Sequence, residues 1–258
     1  MSNYNIYFSP TGGTEKVARQ AAEAWGGAFR TIDLMQDPEI TRFHSGDLCL
    51  FSVPSYGGRV PAPVAQRLEL LSGNGAGAVL IAVFGNRAID DTLLELRDLL
   101  SRAGFRCLGA MEAVAQHSLL PQFGSGRPDA EDLQELTEFT QKIHRAVERD
   151  PGLKEPELPG NRPYREYKGV PLKPSVTGGC IACGICAREC PVGAIPMLNC
   201  RLTDSRKCIS CMHCVQVCPK HARKTSRLLT FVAGQGMKKA CGGRKPNRLY
   251  LAAEADNR

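Results

Sequence analysis

The tightest constraint on this chain is a doubled run of cysteines. Residues 180–191 read CIACGICARECP and residues 208–219 read CISCMHCVQVCP. In each, three cysteines are separated by two residues, a fourth follows after three more, and a proline comes directly behind it. A segment this short cannot hold itself together by apolar burial, so much of its folding free energy must come from what the sulfurs bind. The C-x-x-C-x-x-C turn lets three thiolates cover three corners of one iron-sulfur cube. The fourth cysteine lies out of reach of that cube and turns to the other. The expected ligation is therefore crossed: Cys180, Cys183, Cys186 and Cys218 hold one 4Fe-4S cluster, and Cys208, Cys211, Cys214 and Cys190 the second. A zinc site would want four ligands in two C-x-x-C pairs, and a disulfide framework a secreted chain; the doubled pattern with both prolines disfavours them.

A chain of 258 residues has room for two domains, and 43% hydrophobic content is that of an ordinary soluble protein. Twelve cysteines are many for a cytosolic enzyme, yet those committed as thiolate ligands need reducing conditions. The expected compartment is the cytoplasm. MSNYNIYF enters a strand without the basic region of a secretory signal, and the longest apolar run, residues 78–84, is too short to span a bilayer. No membrane span is expected. The net charge of +7 is unevenly distributed: before Pro159, 15 Lys and Arg face 21 Asp and Glu, and from there on 18 face 5. Some of that positive charge stabilises anionic clusters, and the rest suits an acidic partner or the chain's own acidic half. A nucleic-acid surface is disfavoured, because no nucleic-acid-binding motif accompanies the charge.

Ahead of the cysteines, strand and helix patterns alternate. Residues 3–8 read as a first strand, SPTGGTEK follows, and VARQAAEAW has helical periodicity. Strand, glycine loop and helix form a phosphate-binding arrangement: Gly12 and Gly13 let the backbone wrap an anion, Ser9, Thr11 and Thr14 offer hydroxyls, and the helix start offers unpaired N–H groups. No lysine sits inside the loop as a Walker A motif demands, which disfavours a nucleoside triphosphate. Further strands are expected at 28–33, 47–53, 78–84 and 105–114, and helices at 62–71, 90–103 and 129–150. Strands 47–53 and 78–84 are continuous apolar runs, as in a parallel sheet covered on both faces. The expected fold is α/β, a doubly wound five-stranded parallel sheet. Ligands of such sheets sit beyond the carboxyl ends of the strands, where SPTGGT, PSYGGRVP, GNRAIDD and AQHSLLPQFGSGRP gather.

Through SPTGGT the N-terminal part resembles a flavodoxin, whose FMN phosphate loop reads S/T-x-T-G-N-T, and the cysteine run resembles that of a bacterial-type ferredoxin. The chain as a whole, including GNRAIDDTLLELRDLL and RKPNRLYL, is similar to the fusion proteins of anaerobes in which a flavodoxin-like domain precedes a two-cluster ferredoxin. The resemblance implies an FMN beside two 4Fe-4S clusters. It implies that Ser9, Thr11, Gly12, Gly13 and Thr14 hold the phosphate, that Pro54, Ser55, Tyr56, Gly57 and Gly58 form a second loop with Tyr56 against the flavin ring, and that Gly85, Asn86 and Arg87 edge the pyrimidine side. Two departures weaken the phosphate grip: Gly13 replaces the usual asparagine, and Pro10 removes an amide N–H. The expected division is a flavodoxin-like FMN-binding domain at 1–150, a Pro-rich linker at 151–174, a small α+β two-cluster ferredoxin domain at 175–226 and a basic C-terminal tail at 227–258.

Several residues carry a plain reading beside a functional one. Tyr56 stacks on a flavin or caps the sheet edge; Arg87 stabilises a reduced flavin or pairs with Asp90 or Asp91; His117 is a proton donor or a solvated loop residue. His213 and His44 read as spacer and surface residues, Cys49 and Cys107 as core. Cys200 and Cys241 have no partner to name and are not expected as ligands. The functional expectation is an electron-transfer protein that couples the clusters to FMN and exchanges electrons with a redox partner protein, with no catalytic residue to name. The alternative is an FMN- and iron-sulfur-dependent oxidoreductase that reduces a small substrate such as a quinone. A redox-sensing module is the third reading.

Overall fold

The computed structural model describes residues 2–252. In chain order its first part contains β1 (Asn3–Tyr7), α1 (Gly13–Trp25), β2 (Phe29–Asp33), β3 (Thr41–Arg42), β4 (Leu48–Pro54), α2 (Ala62–Leu68), β5 (Leu71–Ser72), β6 (Gly77–Phe84), α3 (Thr92–Arg102), β7 (Arg106–Val114) and α4 (Ala130–Arg149). The second part contains β8 (Ser175–Val176), α5 (Ile185–Arg188), α6 (His213–Gln216), β9 (Arg223–Lys224), α7 (Arg227–Cys241) and β10 (Arg248–Tyr250). The main sheet runs β10-β7-β6-β4-β1-β2. All its pairings are parallel except β10 on β7. Its five parallel strands thus have the order 2-1-3-4-5, that of flavodoxin-like doubly wound sheets.

Two apolar layers explain why the central strands lack alternation. On one face Phe51, Leu80 and Phe8 pack with Val64 and Leu68 of α2 and Leu93 and Leu96 of α3. On the other, Leu50, Ile81 and Met111 meet Val17 and Ala21 of α1 and Leu136 and Ile143 of α4. Every residue of β6 is buried. Helix α4 begins at a capping box in which Asp129 and Asp132 each accept the other's backbone N–H. The helix expected at 62–71 stops at Leu68, because Leu71 and Ser72 pair with Thr41 and Arg42 in a two-stranded side sheet.

The segment expected as a tail, 227–258, supplies structure to the first part as far as it is described. It forms the 15-residue helix α7 and then returns as β10, the sixth strand. Asn247 fixes the return: its Oδ1 accepts the Val114 N–H at 2.8 Å, and its Nδ2 donates to Asp132 and Glu135. The proline-rich stretch also lies on the sheet domain. Arg162 and Tyr164 bond Asp98 of α3, the Asn161 and Arg165 amides donate to Asp91, and Arg59 lies 5.0 Å from the Tyr164 ring centre.

The cysteine region is an internal repeat with an offset of 28 positions: Cys180, Cys183, Cys186 and Cys190 recur as Cys208, Cys211, Cys214 and Cys218. The backbone repeats too. Ala182 and Gly184 have positive φ, and so do their counterparts Ser210 and Met212; α5 and α6 follow them. The fourth sulfurs, Cys190 and Cys218, each accept an amide at 3.3 Å, from Ala194 and Ala222. The antiparallel pair β8-β9 joins the two ends of the region.

Candidate functional site

The repeat folds its cysteines into two sets. Cys180, Cys183, Cys186 and Cys218 line one cavity, and Cys190, Cys208, Cys211 and Cys214 line a second. Cys200 also lines the first cavity. Among the described residues no group of three or more His, Cys, Asp or Glu side chains is placed so as to hold a metal ion. Burial pushes the Cys211 thiol up to about 12 and the Cys214 thiol to about 11. Both stay protonated unless a cation compensates, and iron ligation would have to expel those protons. At Cys218 burial works against ionisation, but the amides of Ala222, Lys220 and Arg223 and the Arg223 charge hold the thiol below its ordinary value.

The donor chemistry around the first set fits a sulfide-containing cube. Arg223 lines that cavity and is 2% exposed. Its Nη1 donates to Thr203 Oγ1 at 2.9 Å and its Nη2 to the carbonyls of Cys200 and Leu202 at 2.6 and 3.2 Å. Its Nε is buried without a partner among the described residues, a situation that costs about 1–3 kcal/mol unless an acceptor arrives. Cys200 is buried against this cavity, and Cys186, Cys190 and Cys214 pack around it.

A third cavity, of about 170 Å³, opens at the carboxyl ends of β1, β4, β6 and β7. Thr11, Gly13 and Thr14 line it from the loop into α1; Pro54, Ser55, Tyr56 and Gly57 from the loop after β4; and Gly85 and Arg87 from the loop after β6. Ser9, Gly12, Gly58 and Asn86 are not in its lining. Ser9 Oγ accepts the Glu15 amide at 2.8 Å as a local cap. Gly12 takes a left-handed φ of 85° that starts α1. Asn86 faces the other way: its amide donates to the carbonyls of Cys241 and Gly243 at 2.6 and 2.7 Å, tying down the end of α7. Arg87 pairs with Asp90 while still lining the cavity.

His117 stands in the cavity wall rather than in solvent. Burial, with the Arg87 charge adding to it, lowers its pKa to about 4. The ring is neutral near pH 7, and because Nδ1 accepts the Leu119 N–H at 3.2 Å, Nε2 carries the proton and is a donor. Tyr167, from the proline-rich stretch, lies so close over Gly57 that a Cβ there would fall 2.2 Å from its ring. Burial raises the Tyr56 hydroxyl pKa well above its ordinary value.

Besides Tyr167 and Val170 of the proline-rich stretch, three lining residues come from farther along the chain and escaped sequence reasoning: Ile209 and Ser210, between Cys208 and Cys211, and Met237 of α7. Ser210 is 3% exposed and its Oγ has no partner among the described residues. An orphaned hydroxyl on the wall of a cavity that also holds a helix start and an N–H donor fits a polar planar cofactor such as a flavin. Ile209 lines both this cavity and the one formed by Cys190, Cys208, Cys211 and Cys214. The second cysteine set is thus the proximal one. The first set shares no lining residue with the cavity at the strand ends and includes the exposed Cys183.

Fold and site together define a flavodoxin-like α/β domain joined to a C-terminal 4Fe-4S ferredoxin-type domain. A family model described as a 4Fe-4S binding domain matches residues 202–224. A component of the ion-translocating oxidoreductase complex of Methanosarcina acetivorans is 41% identical over 56 residues, a match that spans 21% of this chain and 21% of that protein. Among solved structures, flavodoxin 1 of Bacillus cereus aligns at 16% identity and a TM-score of 0.42, covering 56% of this chain and 98% of its own. Rubredoxin oxygen:oxidoreductase of Desulfovibrio gigas aligns at 17% and 0.41, covering 58% and 37%. Overlays at such scores carry no weight of their own, and the fold rests on the strand order. The chain carries the features of an electron-transfer protein, and among its described residues no helix is long and apolar enough to cross a membrane.

Proposed function

We propose that the protein couples two 4Fe-4S clusters to an FMN and exchanges single electrons with a redox partner protein. The observation that carries this reading is the shared wall: Ile209 borders both the proximal cysteine set and the cavity beyond the sheet, and Ser210 beside it presents an unpaired hydroxyl to that cavity. When bound, an FMN takes electrons singly or in pairs and each cube takes one, so the three groups together interconvert single and paired electrons. Thr11, Gly13 and Thr14 would hold the phosphate at the start of α1, with Gly12 and Ser9 shaping the loop. Tyr56 and Tyr167 would flank the ring, and His117 would donate from Nε2. Cys180, Cys183, Cys186 and Cys218 form the solvent-facing end of the path, in a domain division near 1–150, 151–174, 175–226 and 227–258 in which the last segment returns to the sheet. Thiolate ligation calls for a reducing compartment such as the cytoplasm.

The partner fits an acidic carrier. Ile181, which lines the first cysteine cavity, is exposed, as are Met197, Leu198 and Leu202 from the stretch between the two cysteine runs, and Arg188, Arg201 and Lys220 of the same region are exposed cations. Iron, sulfide and flavin assays on anaerobically purified protein test the reading. Two cubes and one FMN per chain are expected; a protein that takes up no flavin on reconstitution would end the FMN half.

One observation favours a second reading, reduction of a small substrate such as a quinone. A groove of about 890 Å³ is lined by Tyr56, Tyr167, Val170 and Ile209, all of which also line the flavin cavity. Fast, saturable reoxidation by quinones in stopped flow would make it the better account.

A further inference from the structure

The 28-position repeat makes each cysteine cavity a control for the other. Cys180, Ile181, Cys183, Cys186, Pro219 and Ala222 line the first, and their counterparts line the second. The linings part company in charge. Arg223 and Lys220 line the first cavity, whereas the equivalent positions in the second are Ile195 and Val192. Lys220 is exposed and therefore screened by water and salt. Arg223 is enclosed, as is Ile195, so one site has a buried cation where the other has an alkyl group.

We propose that Arg223 breaks the equivalence of the two 4Fe-4S sites: its Nε–H donates to the cube held by Cys180, Cys183, Cys186 and Cys218 and sets that site at a higher reduction potential than the site of Cys190, Cys208, Cys211 and Cys214. The proposal rests on the two-cluster reading above. Reduction adds one electron, supplied by the partner, to a cube that is already anionic; no bond to the protein forms or breaks. A fixed cation and an N–H donor favour the more negative state, and they do so more strongly in a desolvated interior. The guanidinium cannot lose its proton. Its fork is held by the Cys200 and Leu202 carbonyls and Thr203 Oγ1, so Nε–H has nowhere else to turn. Thr203 lines the second cavity, so the Arg223 charge reaches both sites, while the hydrogen bond reaches only the first. A single electron then rests at the solvent-facing end.

Charge and hydrogen bond can be separated by substitution. In an EPR-monitored redox titration of the full-length, iron-loaded protein, two potentials are expected, and Cys183→Ala should remove the higher one. Arg223→Lys keeps the charge and loses Nε–H, so the higher potential should shift negative while the lower stays. Arg223→Gln should move both negative, the higher one further. Equal potentials in a fully loaded wild type, or an unmoved higher potential in Arg223→Lys, overturn the proposal. Loss of iron from the first site in Arg223→Lys would give the residue a purely structural role and overturn it as well. A wild type that binds no iron would instead fail the two-cluster reading itself.

Discussion

His213 Nδ1 lies 2.8 Å from the carbonyl oxygen of Pro10, so a side chain between two cysteines of the second run touches the loop between β1 and α1. Its Nε2 lies 3.3 Å from Glu189, the residue before Cys190. One imidazole thereby ties this loop to both cysteine runs. His213→Ala is expected to keep iron and flavin content, to cost about 1 kcal/mol of stability, and to slow reduction of the flavin by the clusters. Rapid-mixing absorbance traces of cluster and flavin bleaching check this; unchanged flavin kinetics would mean the contact is incidental.

The orphaned Ser210 hydroxyl gives two effects of opposite sense. Ser210→Ala removes a buried group without a partner, so the flavin-free protein should melt no lower than wild type, and a flavin contact should be lost at about 1 kcal/mol, roughly a fivefold weaker Kd. Fluorescence titration and thermal melts read both. An unaltered Kd would show that the flavin does not reach this wall.

The doubly wound parallel sheet could be read from residue patterns because it rests on local periodicity, with continuous apolar runs for β4 and β6; fixed spacing likewise gave the expectation for the thiolates. What could not be read depends on long-range contacts. β10 has three residues, and its place is set by Asn247 reaching Val114, Asp132 and Glu135. Helix α7 was hidden by Gly234 and Gly236, which weaken a helical pattern; Gly234 packs against Gln122. His117 read as a loop histidine because nothing local predicts that Arg87, Met237 and Tyr167 share its cavity. Arg223 stood out only once the repeat set Ile195 opposite it.

Iron removal should separate the two parts of the molecule. The cores around Phe51 and Ile81 do not involve the cysteine region's ligands, whereas the apolar cluster of that region is confined to Ala187, Ile195 and Cys200 with neighbouring cysteines. A chelator under reducing conditions is expected to expose residues 177–222 to protease while β10 stays on the sheet. Mass spectrometry of the fragments checks this, and cleavage throughout α1 and α4 would contradict it.

The lowered pKa of His117 predicts a pH dependence in the flavin-free protein. Burial first, and the Arg87 charge second, take it from 6.5 to about 4. Between those values the unfolded chain binds a proton that the folded chain does not, so stability rises with pH across this window. The contribution is present above about pH 6.5 and is lost as pH falls through 4, on the order of 3 kcal/mol in all. Urea midpoints measured from pH 7.5 to 4 should fall more steeply for wild type than for His117→Gln. Parallel curves would place the ring in water.

The exposed apolar side chains of the cysteine region lead to a prediction about partners. Leu198 is fully exposed, and Met197, Ile181 and Leu202 expose 61, 57 and 57% of their surfaces. Arg201 ties this stretch to the first cysteine run, donating to the Cys180 carbonyl at 2.8 Å. Apolar contact excludes water from the electron path, while the surrounding cations steer an anionic carrier into place. Reduction by a small acidic ferredoxin should therefore slow by about tenfold or more as salt is raised from low to high ionic strength, whereas a basic carrier such as cytochrome c should exchange slowly at every ionic strength. Leu198→Asp adds a like charge to the acidic partner and removes apolar contact, so it should cost about 1 kcal/mol or more of docking free energy while leaving both potentials in place. Salt-independent rates, or an unaffected Leu198→Asp protein, would move the electron entry point to another face.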